Sequence, residues 1–379
     1  MDVRALVEEQ YPYMLELRRH FHQNPEPSTQ EKGTSARVAR ELQEMGIVFE
    51  RLENYGIVGH LYGAGPGKVL ALRADMDALQ LQETAQVPYR SRRPGLMHAC
   101  GHDAHTAALL GAARVLSKMT ALFQGEIRLL FQPAEEVCLG AKGMIQAGAL
   151  EGVDTIFGMH VDLSHPAGMV DITPGVRTCA ATKFQIRIVP LQLGNFQAAM
   201  RAAAAIVMSL QTIASREVAP TSVFALSCCQ FEGEAGSHSD SVTLTGTCRY
   251  SDPALRETLL RRMRRIAAGM AGVYGAGAKV DLEHIAFPIA NCQGPCQTAQ
   301  AAAAKLFGPD CLYRTGTNSV SEDFAEYLQV VEGAYAQLGA NQPDMGLTCP
   351  NHNPGFCINE RAMYYGAALF VQYALDTLN

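Results

Sequence analysis

Strand-like and helix-like segments alternate through the first 180 residues of the chain and again after residue 287. Apolar runs at 69–74, 127–131 and 155–159 predict buried strands. Alanine, leucine and valine at helical spacing over 103–119 predict a helix between two of them. Such alternation predicts a mostly parallel sheet that is covered on both faces, and therefore a fold of the α/β class.

A segment of different order, residues 182–286, separates the two stretches. The patterns that make it up are strands at 183–189, 222–230, 241–250 and 278–285 and helices at 196–213 and 253–274. The order βαββαβ predicts a ferredoxin-like α+β domain. We therefore expect a discontinuous larger domain of residues 1–181 and 287–379, with residues 182–286 inserted in it.

Local signals near the N-terminus predict where the first helices begin and end. Pro12 is expected to interrupt the first helical segment. Ser28 and Glu31 have the spacing of a capping box, in which both side chains bond to backbone N–H groups, and they predict a second helix there.

Composition excludes several classes of protein. Hydrophobic residues make up 48% of the 379 residues, which is typical of a globular chain with a large core. The net charge of -6 argues against a nucleic-acid partner. No apolar run approaches the roughly 18 residues of a membrane span, and the first residues do not resemble a secretion signal. Eleven cysteines do not form a disulfide-scaffold pattern, so we expect a reducing, cytoplasmic location.

Cysteine, histidine and aspartate are concentrated in residues 97–106, in a loop that opens the helix predicted over 103–119. Thiolate and imidazole groups, here those of Cys100 and His102, are good ligands for borderline divalent metals. The alternative is an ordinary loop with an inert cysteine and hydrogen-bonded histidines.

Two adjacent carboxylates, Glu135 and Glu136, come directly after the strand predicted at 127–131. This is the edge at which open α/β sheets bind ligands. The repulsion between the carboxylates is relieved if one binds a cation, and the other can then act as a general base. The alternative is a solvated acidic loop.

Three further segments carry metal-binding residue types. His160 closes a predicted strand, His352 lies in a polar loop before the last helix, and Asp75 and Asp77 follow another strand. Each alone is more often structural. Together with Cys100, His102 and Glu136, the histidines would suffice for two divalent ions, with Glu135 left as base. None of these segments lies in the inserted domain.

Seven segments of the chain, in a fixed order, carry a further signal: RRHFHQNPEPS at 18–28, RADMDAL at 73–79, MHACGHDAHT at 97–106, QPAEE at 132–136, GMH at 158–160, SEDF at 321–324 and NHNPGF at 351–356. In these segments and their order the chain resembles a known family, the N-acyl-amino-acid amidohydrolases. This is the branch of the dinuclear metallopeptidases that contains aminoacylases, hippurate hydrolases and auxin-conjugate hydrolases. The resemblance implies a metal-dependent hydrolase that cleaves the amide bond of an N-acyl amino acid or a related small amide.

The resemblance also implies two divalent ions, with zinc or manganese expected and cobalt or nickel compatible. The implied ligands are Cys100, His102, Glu136, His160 and His352. Glu135 would be the general base and acid, and Asp75 would orient a ligand. Arg73 stands where other branches have a ligand histidine and is not expected to bind metal. Residues 1–181 and 287–379 would form the catalytic domain, and residues 182–286 a lid through which two copies form a homodimer.

The chain departs from the family pattern in the predicted lid. Members usually carry a GGHxAxPH-like segment after the first lid strand, and its histidine helps to hold the oxyanion; here residues 188–196 contain no histidine. His238 is a candidate replacement, although it could equally be a solvated loop residue. Arg249 could bind a substrate carboxylate or form a surface ion pair.

The altered lid leaves two alternative functions open. The same metal site could serve a specialised substrate, acyl transfer or amide formation. The chain could also be a descendant that binds a ligand without turnover, but Glu135 argues against this reading because a binding module needs no base beside its metals.

Overall fold

The computed structural model describes residues 2–217, 222–235, 240–252, 254–341 and 349–379. The elements of the first half are α1 (Val3–Glu8), α2 (Tyr11–Gln23), α3 (Lys32–Glu44), β1 (Val48–Arg51), β2 (Ile57–Tyr62), β3 (Val69–Asp75), α4 (His102–Leu116), β4 (Glu126–Gln132), α5 (Gly140–Gln146), β5 (Thr155–Pro166), β6 (Val170–Asp171) and β7 (Gly175–Val176). The elements of the second half are β8 (Ala180–Pro190), α6 (Phe196–Thr212), β9 (Phe224–Glu234), β10 (Ser241–Tyr250), α7 (Leu255–Val273), β11 (Ala276–Ala286), β12 (Ala290–Asn291), α8 (Gln293–Phe307), α9 (Phe324–Tyr327), β13 (Glu332–Asn341) and α10 (Ala362–Leu378).

The chain forms two compact units. The first comprises Met1–Gly175, Ala290–Thr315 and Asp323–Asn379, and the second comprises Val176–Ile289 and Gly316–Glu322.

The first unit contains a seven-stranded sheet of order β1-β2-β4-β3-β5-β13-β6. The four central strands β4, β3, β5 and β13 are mutually parallel, and the flanking strands pair antiparallel. This confirms the predicted α/β class with a large, mostly parallel sheet. Fully buried side chains from the central strands and from helices α4 and α10 share one core, among them Leu72, Phe131, Phe157, Leu109 and Phe370.

The N-terminal helices agree with the sequence-based prediction at one point and differ from it at another. The expected interruption is the break between α1, which ends at Glu8, and α2, which begins at Tyr11. Pro12 lies in the first turn of α2, where an N–H group has no acceptor within the helix. The capping box is wrong, since the Ser28 hydroxyl donates to Asp77 Oδ2 at 2.7 Å. Glu26 replaces it by accepting from the N–H groups of Gly33 and Thr34 at 3.0 and 2.7 Å.

The second unit has the element order β8-α6-β9-β10-α7-β11. Its four strands form an antiparallel sheet of order β11-β8-β10-β9. Along β8 buried and exposed side chains alternate, so that one face of this strand enters the core and the other does not. The core on that face includes Ile186 of β8, Ile206 of α6 and Met263 of α7.

Within the described part of the chain, the segment Phe196–Ser215 is long and apolar enough to cross a membrane, by length and composition only. Ala199, Ala203 and Ile206 of this segment pack in the core of the second unit. The helix therefore has a packing partner for its apolar face inside the protein.

Candidate metal centre

The sheet of the first unit brings the predicted site residues to one edge. Strands β4, β3 and β5 are parallel neighbours, and in their register Asp75 is level with Gln132 and Arg73 with Gly158. His160 is two residues beyond Gly158, and the Glu135–Glu136 pair follows the end of β4. Since the carboxyl ends of parallel strands meet at the same edge, carboxylates and a histidine from three strands converge there.

The turn into helix α4 delivers Cys100 and His102 to the same edge. Gly101 between them has φ of 89°, in the left-handed region that favours glycine. A Cβ atom at Gly101 would lie 2.4 Å from Cγ2 of Val161, so the turn can pack against β5 only with glycine at this position.

Two groups of three ligand-type side chains share Cys100. The first triad is Cys100, His102 and His160, and the second triad is Cys100, Glu136 and His352. Within each triad the ligand-type atoms lie within 4.8 Å of one another. Cys100 Sγ is 3.3 Å from Nε2 of His160, and Glu136 Oε2 is 3.4 Å from Nε2 of His352. A thiolate that belongs to both triads is placed to bridge two cations.

In both His102 and His160, one ring nitrogen bonds to a main-chain oxygen and the other nitrogen is left for a ligand. His102 Nδ1 is 3.0 Å from the main-chain oxygen of Asp77, and His160 Nδ1 is 2.8 Å from that of Val161. A carbonyl only accepts, so both rings carry a proton on Nδ1, and Nε2 is the nitrogen that faces the triads.

Two buried atoms of the site test whether it fits a metal. His102 Nε2 and Glu136 Oε1 have no hydrogen-bond partner among the described residues. Buried polar atoms are nearly always satisfied, and a neutral imidazole nitrogen and a carboxylate oxygen are both electron-pair donors. A cation would satisfy both atoms, so the donor set fits a divalent metal.

The pKa shifts of two residues in the site also favour a bound cation. Burial and the neighbouring Glu136 raise the pKa of the Cys100 thiol to about 12. Burial and the charge of Asp77 raise the pKa of Glu136 to about 7. Both shifts disfavour the anionic forms that metal ligation requires, and a cation between these groups is what would offset the penalty.

Glu135 belongs to the same cluster and is placed by its loop. Its Oε2 is 3.9 Å from His102 Nε2, and its side chain is buried. The preceding residue, Ala134, has φ of 55°, and its N–H donates to Glu31 Oε1 at 2.8 Å. The next N–H, that of Glu136, donates to Asp77 Oδ2 at 3.0 Å. The two buried carboxylates therefore fix the backbone on both sides of Glu135.

Asp75 makes its hydrogen bonds to two residues outside the triads. Its Oδ1 accepts from His105 Nδ1 and its Oδ2 from Arg73 Nη1, both at 2.6 Å. Asp75 Oδ2 lies 3.9 Å from Nε2 of His102, the nitrogen that faces the triads. Sequence reasoning missed the contacts of Asp77 and His105, although both residues lie inside the quoted motifs.

Sequence reasoning proposed two residues outside this cluster, Arg249 and His238. Arg249 is on β10, and its guanidinium donates to the main-chain oxygen of Ser319 at 2.8 Å. His238 lies outside the described residues.

Comparison with known proteins gives consistent matches along the chain. The sequence profile of the peptidase family M20/M25/M40 matches residues 71–376. Thermostable carboxypeptidase 2 of Saccharolobus solfataricus is 36% identical over 98% of this chain and 97% of its own length. IAA-amino acid hydrolase ILR1-like 5 of Arabidopsis thaliana is 35% identical over 98% of this chain and 89% of its own. The crystal structure of the Bacillus subtilis YXEP protein, described as a dinuclear metal binding peptidase from the M20 family, superposes with a TM-score of 0.87 at 30% identity, and covers 98% of this chain and 99% of that one.

Proposed function

The chain belongs to the peptidase family M20/M25/M40, and from this premise we propose that it cleaves the amide bond of an N-acyl amino acid or a related small amide. Membership makes it a hydrolytic enzyme that acts on amides and confirms the resemblance indicated by the motifs. The observation that carries the proposal is the pair of triads that share Cys100, with Glu135 beside them.

Five side chains would hold two divalent ions: Cys100, His102, Glu136, His160 and His352. Cys100 would serve both ions, since it is common to both triads. Zinc and manganese are the expected metals, and cobalt and nickel suit the same mixture of thiolate, imidazole and carboxylate. When bound, the ions would acidify a water molecule and polarise the amide carbonyl.

Glu135 would move the proton in both halves of the reaction. As a carboxylate it takes a proton from the attacking water while the water oxygen bonds to the amide carbon. It then gives this proton to the amide nitrogen as the C–N bond breaks. Amide and water thus give a carboxylic acid and a free amino group. Asp75 would act through its bonds to Arg73 and His105, without touching substrate.

We also propose that residues 1–181 and 287–379 form the catalytic domain and residues 182–286 a ferredoxin-like lid and dimerisation domain. The element order β8-α6-β9-β10-α7-β11 and the antiparallel sheet of the second unit support this division. A homodimer through the lid remains part of the proposal, as does a substrate-binding role for Arg249 or His238. All eleven cysteines are free thiols, which supports a reducing, cytoplasmic location.

One observation favours a second candidate, acyl transfer to an amine instead of to water. The loop between β8 and α6 lacks the family histidine and exposes Leu191 and Leu193, whose exposed fractions are 77% and 89%. A less polar lid loop would suit an unusual acceptor or acyl group. Product analysis with a competing amine tests this candidate, and the appearance of hydrolysis products alone would exclude it.

The experiment that tests the main proposal is metal analysis combined with turnover. Purified protein is assayed for bound divalent metal, and amine release is measured on a panel of N-acyl amino acids with wild type and Glu135→Gln. We expect about two metal ions per chain in both proteins and turnover in wild type alone. Protein that binds no divalent metal, or equal turnover in the variant, would contradict the proposal.

A further inference from the structure

A single buried carboxylate, that of Asp77, contacts both triads. Its Oδ1 lies 3.2 Å from His102 Nδ1, which its main-chain oxygen also faces, and its Oδ2 accepts from the Glu136 N–H at 3.0 Å. Its Oδ2 accepts a further bond from Ser28 Oγ at 2.7 Å. His102 belongs to the first triad and Glu136 to the second. Asp77 therefore fixes one member of each triad, and it joins the loop after β3 to the start of α4 and the loop after β4.

A separate chain of bonds reaches the first triad alone. Asp75 Oδ1 accepts from His105 Nδ1 at 2.6 Å, and His105 Nε2 accepts from the Val161 N–H at 3.0 Å. Because Nε2 accepts, the ring carries its proton on Nδ1, and its two bonds have fixed directions. Val161 directly follows His160, and the rings of His105 and His160 are 4.7 Å apart between centroids. This chain thus fixes the backbone that carries His160.

We infer that Asp77 is a positioning residue for both metal positions and that His105 is a positioning residue for the first triad only. The inference rests on the proposed function, because it presumes that the two triads bind metal. Neither residue would touch metal or substrate. Each acts through a hydrogen bond to a ligand or to the backbone of a ligand.

The geometry predicts different consequences for the two residues. In Asp77→Asn the amide oxygen is needed by the two donors Ser28 and Glu136, so the NH₂ group faces the Nδ1–H of His102. Because the NH₂ group and the Nδ1–H group are both donors, they repel each other. We expect this repulsion to displace the His102 ring and to shift the Glu136 backbone. Loss of such an orienting partner typically costs 10- to 100-fold in metal affinity, and here we expect about that loss at both positions.

Replacement of His105 should affect one position only. His105→Leu removes the acceptor of the Val161 N–H and the donor to Asp75, so we expect about a 10-fold loss of affinity at the first triad. His105→Gln keeps a donor and an acceptor at similar reach and should recover most of that affinity. Occupancy of the second triad should stay at the wild-type level in both variants.

The test is a titration of metal-free protein with zinc alone, followed by calorimetry and by competition with a chromophoric chelator. Wild type, Asp77→Asn, His105→Leu, His105→Gln and Ser28→Ala are compared, and circular dichroism reports whether each is folded. Ser28→Ala removes one donor to Asp77 and touches no ligand, so it should bind both ions nearly as wild type does. If Asp77→Asn fails to fold, Asp77→Glu replaces it in the test. This variant keeps the charge but shifts the carboxylate, so it should lose metal affinity at both positions to a smaller degree.

The outcomes separate this inference from the proposed function. Wild-type protein that binds no zinc overturns both. Two zinc ions in wild type, with unchanged affinities in Asp77→Asn or equal losses at both positions in His105→Leu, overturn the positioning roles and leave the proposed function intact. The inference is supported if Asp77→Asn loses zinc affinity at both positions, His105→Leu loses it at the first triad only, and His105→Gln recovers it.

Discussion

Glu31 is a buried carboxylate that holds the loop carrying Glu135 without touching the triads. Its side chain is fully buried, and its Oε1 accepts from the N–H groups of Thr29 and Ala134 at 3.0 and 2.8 Å. Its Oε2 is buried with no hydrogen-bond partner among the described residues. Burial raises the pKa of Glu31 to about 7 from its usual 4.5, and the charge of Asp77 contributes to the rise. We predict that Glu31 makes the metal-free protein less stable as the pH rises.

The sign and the size of this effect follow from proton binding. Between pH 4.5 and 7 the folded state holds a proton on Glu31 that the unfolded state has lost, so the free energy of unfolding falls as pH rises. A shift of 2.5 pKa units, from 4.5 to about 7, corresponds to about 3 kcal/mol. About 2.5 kcal/mol of this is lost between pH 5 and pH 8. In Glu31→Gln this contribution is absent at every pH.

The assay is urea unfolding at pH 5 and pH 8 in the presence of a chelator, followed by circular dichroism because the chain has no tryptophan. Relative to wild type, Glu31→Gln should be more stable at pH 8 than at pH 5 by about 2.5 kcal/mol, whatever constant offset the new amide introduces. Leu369→Ala is the control, since truncation of this fully buried side chain should cost about 2–5 kcal/mol equally at both pH values. A difference between Glu31→Gln and wild type that does not change with pH would refute the reasoning.

Three further predictions concern catalysis, metal and the buried ion pairs. Glu135→Gln should lower kcat by about 100-fold or more with unchanged metal content, measured by amine release and elemental analysis, because it cannot accept the proton of water. A chelator should abolish turnover and lower the melting temperature, and added zinc or manganese should restore both, since a ligand that binds only the folded state stabilises it; chelator resistance in metal-loaded protein would count against the site. Arg18→Met should lower the free energy of unfolding by about 3–5 kcal/mol, because Asp103, 3.0 Å from Arg18 Nε, stays buried without its arginine. In the same urea assay, Arg40→Met, at a position whose side chain is 58% exposed, should stay within about 0.5 kcal/mol of wild type.

The central strands were predictable because they are buried on both faces. The strands predicted at 69–74 and 127–131 are observed as Val69–Asp75 and Glu126–Gln132. A continuous apolar run bounded by polar or turn residues leaves little other choice for such segments. The strand predicted at 155–159 extends to Pro166, because partly exposed residues past His160 continue the pairing with β13.

The capping box failed because the same residue types could serve more distant partners. Ser28 and Glu31 have the spacing of a helix cap, but Ser28 donates to Asp77 and Glu31 accepts from Ala134. Asp77 is 49 residues and Ala134 is 103 residues away along the chain. Local spacing carries no information about partners that only the folded sheet brings close.

The sequence by itself determined the family, the α/β class and the residue types that could hold two metals, because these depend on local patterns and on motifs in a fixed order. Tertiary structure alone decided which of the two carboxylates after β3 faces which histidine. Asp75 and Asp77 are two residues apart with the same chemistry, and the register of β3 against its neighbours directs one to His105 and the other to His102. A hydrogen bond requires a donor–acceptor distance that is correct to within a few tenths of an ångström, and only the packed fold fixes such distances between distant segments.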